Sequence, residues 1–238
     1  MSEWWSYRLS DFLLFAPRTY YRLLELYNAS IWPAQIVAVG LGLAIWAALS
    51  RAATSGGRTV SATLAACWLW IAIAFHAHRY ATINWAAIYF AWGFALEAVL
   101  LIWIGVVRGR LLFTRSADRA GRFGLGIFLF ALAAQPMVGL AFGRSWRQVE
   151  IFGVAADPTA VATLGLLLLA RGPGRWALFV VPTIWCAISG ATLLAMKAPD
   201  FWVAPLAAVL VGAGEVLIRV SRSSLRFQGR RSVGETRR

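Results

Sequence analysis

Long apolar runs separated by short basic gaps are the feature that most constrains the fold of this chain. The hydrocarbon core of a bilayer is about 30 Å thick and needs about 20 consecutive apolar helical residues. Runs of this length satisfy their backbone hydrogen bonds in lipid only as helices. The sequence therefore predicts an all-α polytopic transmembrane helix bundle. We expect about seven spans, at residues 31–49, 59–77, 83–107, 123–142, 157–171, 175–196 and 201–218.

Composition places the chain in the membrane class. It is 60% hydrophobic and only 14% charged, whereas soluble domains carry about 25% charged residues. The net charge of +13 would suit a nucleic-acid-binding protein, but the basic residues stand in the gaps between apolar runs and form no continuous stripe. We therefore expect the lipid bilayer, and not nucleic acid, as the partner. The expected location is a cell membrane.

The distribution of arginine predicts the orientation. Sixteen of the 23 basic residues lie in the gaps 51–58, 108–122 and 171–175 and in the tail 219–238. These segments share one side of the membrane only if the short fifth run crosses it. Basic residues concentrate on the cytoplasmic side, so the chain is expected to have an outer N-terminus and a cytoplasmic C-terminus.

The same pattern divides the chain into three parts. Residues 1–30 mix aromatic and charged residues and are expected to form an interfacial amphipathic segment, with a lid over an outward-facing pocket as the alternative. Residues 31–218 form the transmembrane bundle. Residues 219–238 carry seven arginines and are expected to be a disordered cytoplasmic tail. Such a tail suits anionic lipid headgroups or an acidic partner.

The fifth run has a distinct beginning but a doubtful length. Its sequence "DPTAVATLGLLLLA" is short for a span. Asp157 is expected to be the N-cap of its helix and Pro158 its first helical residue.

Several pieces of the chain together resemble a known family. They are "SEWWSYRLSDFLLFAPRTYYRLLELYN", "IWPAQ", "CWLW", "RYATINWAA", "DPTAVATLGLLLLA" and "WCAISGATLLAM". The resemblance is to a bacterial multispanning membrane family catalogued as domain of unknown function 6064, and it covers nearly the whole chain except the basic tail. It implies a bacterial integral membrane protein, which we expect in the inner membrane. It implies no activity, substrate or catalytic residue.

Glu97 is the most informative single residue, because it falls near the middle of the third predicted span. A carboxylate there costs on the order of 3 kcal/mol. Tyr89 and Glu97 are eight residues apart and are expected to share a helix face that points into the bundle. The site is interpreted as a proton-relay or cation-binding carboxylate, or else as a structural clamp between helices. Glu215, near the end of the last span, is expected to pair with Arg219.

A second set of polar residues is expected near the outer membrane face. On a helix, positions two apart are separated by about 200°, so His76 and His78 should point in nearly opposite directions. The set could bind an anion or accept protons, or it could be a solvated rim of loops. Its members are His76, His78, Arg79, Asn84, Arg144, Arg147, Glu150, Asp157 and Asp200.

Three functions remain open at this stage. The first is binding or translocation of a small solute, ion or proton around Glu97. The second is a non-catalytic accessory or sensor protein that acts through helix packing and the basic tail. The third is a membrane-embedded enzyme with an outer-face site, and the sequence favours this least because two adjacent histidines provide too few metal ligands. No catalytic residue, metal or cofactor is predicted.

Overall fold

Helices form nearly all the regular structure in residues 13–50, 54–114 and 119–216, the part of the chain that the computed structural model describes. The α-helices are α1 (Pro17–Ser30), α2 (Ala34–Ala48), α3 (Thr54–Trp70), α4 (Ala87–Leu100), α5 (Arg119–Leu129), α6 (Gln135–Ala141), α7 (Ala156–Leu169), α8 (Val180–Ala195) and α9 (Val203–Val216). Two short strands, β1 (Leu112–Phe113) and β2 (Ala170–Arg171), pair antiparallel.

Three of these helices contain wider, π-helical turns. Ile71–Ala77 extends α3, Leu101–Val107 extends α4, and Phe130–Ala134 joins α5 to α6. The last of these precedes Pro136, which has no N–H to donate to the carbonyl four residues before it, so the regular pattern cannot continue there. Short 3₁₀ turns occur at Tyr80–Thr82, Trp146–Gln148 and Arg175–Phe179.

Four helical stretches are long and apolar enough to cross a membrane. They are Ser55–Thr82, Ala87–Val107, Gly121–Ala141 and Arg175–Ala195. The pair α1 and α2, bent by 84°, provides a fifth if it counts as one span. The mostly helical fold with membrane-spanning potential is thus confirmed. The seven-span topology and its orientation remain predictions.

Helix α7 is the centre of the bundle. It has 14 residues, or about 21 Å at 1.5 Å per residue, and every one of them is buried. A Cβ atom built on Gly165 would lie 2.8 Å from the carbonyl oxygen of Gly124, so α5 and α7 pack backbone to backbone. Because protein surrounds α7 on all sides, its short length does not expose its ends to lipid.

The predicted cap of α7 is wrong. The helix begins at Ala156 with Ala155 as N-cap, and no side chain caps it. Asp157 lies within the first turn, where a negative charge is favourable, but its carboxylate is turned toward α8 instead of back toward its own backbone.

The elements meet at two opposite ends of α7. At the first, which we call the carboxylate end, Arg144 reaches Asp200, and the Gln148 side chain donates to Glu25 of α1 over 2.8 Å. At the second, which we call the sheet end, β1 pairs with β2. Helix α1 lies against the loop before α7, since Tyr27 donates to the carbonyl of Val154 over 2.8 Å.

Candidate functional site

Four ionisable side chains at the carboxylate end form what we call the Arg144 cluster: Arg144, Glu150, Asp157 and Asp200. The Arg144 guanidinium binds Glu150 through Nη1 at 3.0 Å and Asp200 through Nη2 at 2.6 Å. The Tyr21 ring from α1 stacks on the same guanidinium, 5.0 Å from ring centroid to Cζ. One arginine therefore ties the loop before α7, the segment after α8 and α1 together.

Asp157 is held by α8. The Trp185 indole Nε1 donates to Oδ1 over 2.8 Å, and the Ser189 hydroxyl donates to Oδ2 over 2.6 Å. Trp185 and Ser189 are four residues apart and thus lie on one face of α8. These two bonds explain why the carboxylate does not cap its own helix, because both of its oxygens already have donors.

The Arg144 cluster holds three carboxyl groups around one guanidinium. Burial is the main cause that raises the pKa of Glu150 to about 8, and the Asp157 carboxylate adds to the shift. Burial lowers the pKa of Arg144, but the carboxylates of Glu150 and Asp200 outweigh it and raise that pKa above its usual value. The cluster can therefore take up and release a proton while the arginine keeps its charge.

A small cavity opens beside these groups. It measures about 30 Å³ and is lined by all four residues of the Arg144 cluster and by Gln135. A water molecule needs at least about 10–15 Å³ of such space, so the cavity suits one or two waters or a small ion. Among the described residues, Asp200 Oδ1 and Gln135 Oε1 have no hydrogen-bond partner.

Glu97 lies in the protein interior without a hydrogen-bond or ion-pair partner among the described residues. Its side chain is fully buried on α4. Within the described ranges, neither carboxyl oxygen has a hydrogen-bond partner, and no ion pair involves this residue. The sequence-based prediction of a buried, inward-pointing Glu97 agrees with this placement.

His76 is the second buried polar group without a partner. Its ring is fully buried, and neither nitrogen makes a hydrogen bond to any described residue. Its ring centroid lies 4.5 Å from that of Phe94 and 4.8 Å from that of Trp185. Phe94 precedes Glu97 by one helical turn on α4, and Trp185 binds Asp157, so the aromatic enclosure of His76 adjoins both acidic sites.

Tyr89 does not share the buried face with Glu97. It is 66% exposed, whereas Glu97 is fully buried. Eight residues advance a helix by about 800°, which leaves the two side chains about 80° apart. The expected pairing of these two residues in one inward-facing site is therefore not what the structure shows.

The remaining residues of the predicted outer set are dispersed. His78, Arg79 and Arg147 are exposed, and Arg147 stacks on the neighbouring Trp146 ring at 5.5 Å. Asn84 is buried and accepts a hydrogen bond from the backbone N–H of Ala86 over 3.1 Å. Of the predicted set, Arg144, Glu150, Asp157 and Asp200 converge.

Sequence reasoning missed the α8 residues that hold Asp157. Trp185 and Ser189 stand four apart in an apolar run, and this spacing was the available signal for a polar helix face.

Sequence reasoning also missed a row of hydrogen-bonded threonine hydroxyls on α7. There the Trp68 indole donates to Thr163 over 3.0 Å, and the Thr163 and Thr159 hydroxyls each donate to the carbonyl four residues before them over 2.7 Å.

The sheet end has its own ion pair, which the sequence did not predict. Glu215 binds Arg175 at 2.7 Å, whereas the predicted partner Arg219 lies outside the described residues. Arg175 also donates to the carbonyl oxygens of Leu167 and Ala170 over 3.2 and 3.1 Å. It thus stabilises the C-terminus of α7, where a positive charge is favourable.

In the described part of the chain, no group of three or more His, Cys, Asp or Glu residues has an arrangement that could hold a metal ion. Comparison with curated proteins and with solved structures finds no match. The model of one protein family does match, over residues 18–226. This range covers most of the chain and ends within the arginine-rich tail. The chain belongs to the family of unknown function DUF6064.

Proposed function

We propose that this protein is a multi-pass membrane protein that binds a proton or a small cation at Glu97 and moves it across the bundle. The observation that carries the proposal is the complete burial of the Glu97 carboxyl without a partner among the described residues. Buried charges in proteins are normally paired or bound to a cation. Ionisable residues inside membrane spans commonly mark ion or proton pathways.

The surroundings of Glu97 support a transient partner. A clamp between two helices would need a donor on the neighbouring helix, and no described residue provides one. A proton or a cation can supply the missing positive charge and leave again, whereas a fixed arginine could not. The absence of a fixed partner therefore favours exchange over a purely structural role.

His76 supports the same function. An imidazole can accept and donate protons at two nitrogens, and both nitrogens of His76 are free of partners among the described residues. The edge-to-face contact with Trp185 places this ring beside the residue that binds Asp157. We propose that His76 lies on the route of the proton between Glu97 and the Arg144 cluster at the carboxylate end.

Proton flux into vesicles tests the proposal. Purified protein is reconstituted with a trapped pH-sensitive dye, and an imposed potassium diffusion potential drives protons inward. We expect the protein to accelerate acidification and Glu97→Gln to abolish the effect. Glu25→Gln is the matched control, since Glu25 is a partly exposed carboxylate of α1 paired with Arg22 at 2.7 Å. A sodium-sensitive dye in the same vesicles tests a cation.

Infrared spectroscopy provides a second readout that does not depend on flux. A protonated Glu97 contributes a carboxylic-acid C=O band that is absent in Glu97→Gln and retained in Glu25→Gln. Full flux in Glu97→Gln contradicts the proposal, and so does wild-type protein with neither flux nor a Glu97 band. Detergent size-exclusion profiles establish that each variant is folded.

We further propose that seven segments cross the membrane, with the carboxylate end outside and the sheet end in the cytoplasm. The concentration of arginine in the gaps 51–58, 108–122 and 171–175 and in the tail 219–238 of the sequence supports this orientation. Labelling of single cysteines in intact cells with a membrane-impermeant maleimide tests it. Thr82→Cys should react and Arg171→Cys should not, while native Cys67 and Cys186 are buried. The opposite pattern would reverse the orientation.

A second candidate is an accessory or sensor protein that acts through its basic tail. The seven arginines of residues 219–238 favour it, because clusters of this kind bind anionic lipid or acidic partners. Deletion of residues 223–238 should then abolish association while the bundle remains folded. Unchanged association after the deletion would argue against this candidate.

A further inference from the structure

The two-stranded β1–β2 sheet presents one buried and one exposed face. From residue 110 to 113 the side chains alternate: Leu111 and Phe113 are buried, whereas Arg110 and Leu112 are exposed. Leu112 pairs directly with Arg171 on β2, and side chains at paired positions project to the same face. Arg110, Leu112 and Arg171 therefore lie together on the exposed face, with a leucine between two arginines.

Two further arginines adjoin this face. Arg108 is exposed, and its guanidinium stacks on the Trp103 ring at 4.7 Å. Arg58 is also exposed, and the preceding Gly57 lies so close to the backbone of Leu111 that a Cβ atom at this position would collide with the Leu111 carbonyl oxygen. We call these residues, Arg58, Arg108, Arg110, Leu112 and Arg171, the sheet patch.

No acidic side chain neutralises the sheet patch within the described ranges. The ion pairs of the described residues involve Arg22, Arg144 and Arg175. Glu215, an acidic residue that the structure describes at this end, is bound by Arg175. The exposed guanidinium groups of the sheet patch therefore have no acidic partner among the described residues, which leaves them available to an anion from outside the chain.

We propose that the sheet patch binds the phosphate groups of anionic phospholipids. The patch lies where the apolar stretch Ala87–Val107 ends, so lipid headgroups are the anions nearest to it in a membrane. Trp103 is 51% exposed, and exposed tryptophan at a span end is typical of the headgroup level. Leu112, 43% exposed, can enter the apolar layer while the arginines on either side meet phosphate, and an acidic protein or free phosphate would not use it.

Retention of lipid by the full-length protein in detergent tests this inference. Phosphatidylglycerol or phosphatidylcholine is titrated in, and bound lipid is counted by native mass spectrometry. Each arginine near an anionic surface contributes about 1 kcal/mol, so the loss of three in the R108Q/R110Q/R171Q variant should weaken phosphatidylglycerol binding on the order of 100-fold. Phosphatidylcholine retention should be low and unchanged.

A variant with equal charge loss at the other end is the control. R18Q/R79Q/R147Q removes three exposed arginines and should leave phosphatidylglycerol binding unchanged, while both variants keep the basic tail. The R108K/R110K/R171K variant should recover most of the binding, because the attraction to headgroups is largely Coulombic. Failure of the lysine variant to recover any binding, with its thermal unfolding unchanged, would contradict a headgroup site.

Three other results would overturn the proposal. Equal weakening in the two glutamine variants would show that the effect is net charge alone. Displacement of phosphatidylglycerol by millimolar inorganic phosphate would identify a free-phosphate site. Unchanged lipid binding, with loss only of binding to poly-glutamate, would identify an acidic protein as the partner.

Discussion

The Arg144 cluster and the Glu97 site both place carboxyl groups inside this protein, but only the first compensates them. Arg144 binds two carboxylates directly, and Trp185 and Ser189 satisfy Asp157. Glu97 has no partner among the described residues. Removing one member of a compensated cluster strongly destabilises the protein, whereas removing an uncompensated buried group costs little stability. A substitution of Arg144 should therefore lower stability, whereas a substitution of Glu97 should abolish function and leave stability nearly unchanged.

Arg144→Gln should have the largest effect. It leaves Glu150 and Asp200 in a buried position without their common counter-charge, and breaking a buried ion pair typically costs about 3–5 kcal/mol. Thermal unfolding of the detergent-solubilised protein, followed by circular dichroism, measures the loss. The exposed Arg147→Gln should stay within about 0.5 kcal/mol of wild type. Equal stability of the two variants would show that the Arg144 cluster does not hold this end together.

The pH dependence of stability should come next in size. The pKa of Glu150 lies at about 8 in the folded protein, against about 4.3 when unfolded. The folded state therefore binds the extra proton between these values, and the stability this contributes is lost as pH rises from about 4.3 through about 8. The unfolding temperature should fall over this window.

Glu150→Gln should flatten that pH profile, because glutamine carries no proton to release. The effect should be smaller than that of Arg144→Gln, since deprotonation leaves the guanidinium in place. A wild-type profile that rises with pH over the same window would contradict the shift.

Trp185→Phe should have a smaller effect again. It removes the indole donor of Asp157 but keeps the Ser189 donor and the aromatic contact with His76. An unsatisfied buried acceptor costs about 1–3 kcal/mol, and the remaining donor should keep the loss near about 1 kcal/mol. Trp92→Phe is the control, since Trp92 is 73% exposed. An equal loss of stability in both variants would show that the bond to Asp157 contributes nothing measurable.

Glu97→Gln should have the smallest effect on stability. Glutamine has nearly the shape of glutamate, and no described partner is lost, so the free energy of unfolding should change by less than about 1 kcal/mol in either direction. Proton flux should nevertheless disappear. A loss comparable to that of Arg144→Gln would show that Glu97 is a structural clamp, which reverses the comparison drawn above.

Reasoning from neighbours in the sequence misjudged two local arrangements. Tyr89 was expected on the same helix face as Glu97, yet eight positions of a 3.6-residue helix leave the two side chains about 80° apart and turn Tyr89 outward. Asp157 was expected to cap α7, yet donors on α8 draw its carboxylate away. Glu215 binds Arg175, 40 residues earlier, while its predicted pairing with Arg219 lies outside the described residues and stays a prediction. The partners of Asp157 and Glu215 are distant in sequence, so helical spacing does not identify them.

The amino-acid sequence by itself determined the class of this protein, its helical runs, its family and the burial of Glu97. These follow from composition and period, because apolar runs of this length are stable in lipid only as helices and an acid within one must turn inward. Only the tertiary structure decided that His76 is buried among aromatic rings, that Arg144 binds carboxylates from separate segments, and that arginines lie on the exposed face of the β1–β2 sheet. Those arrangements depend on which helix faces meet, and side chains far apart in the chain select their partners only after the bundle has packed.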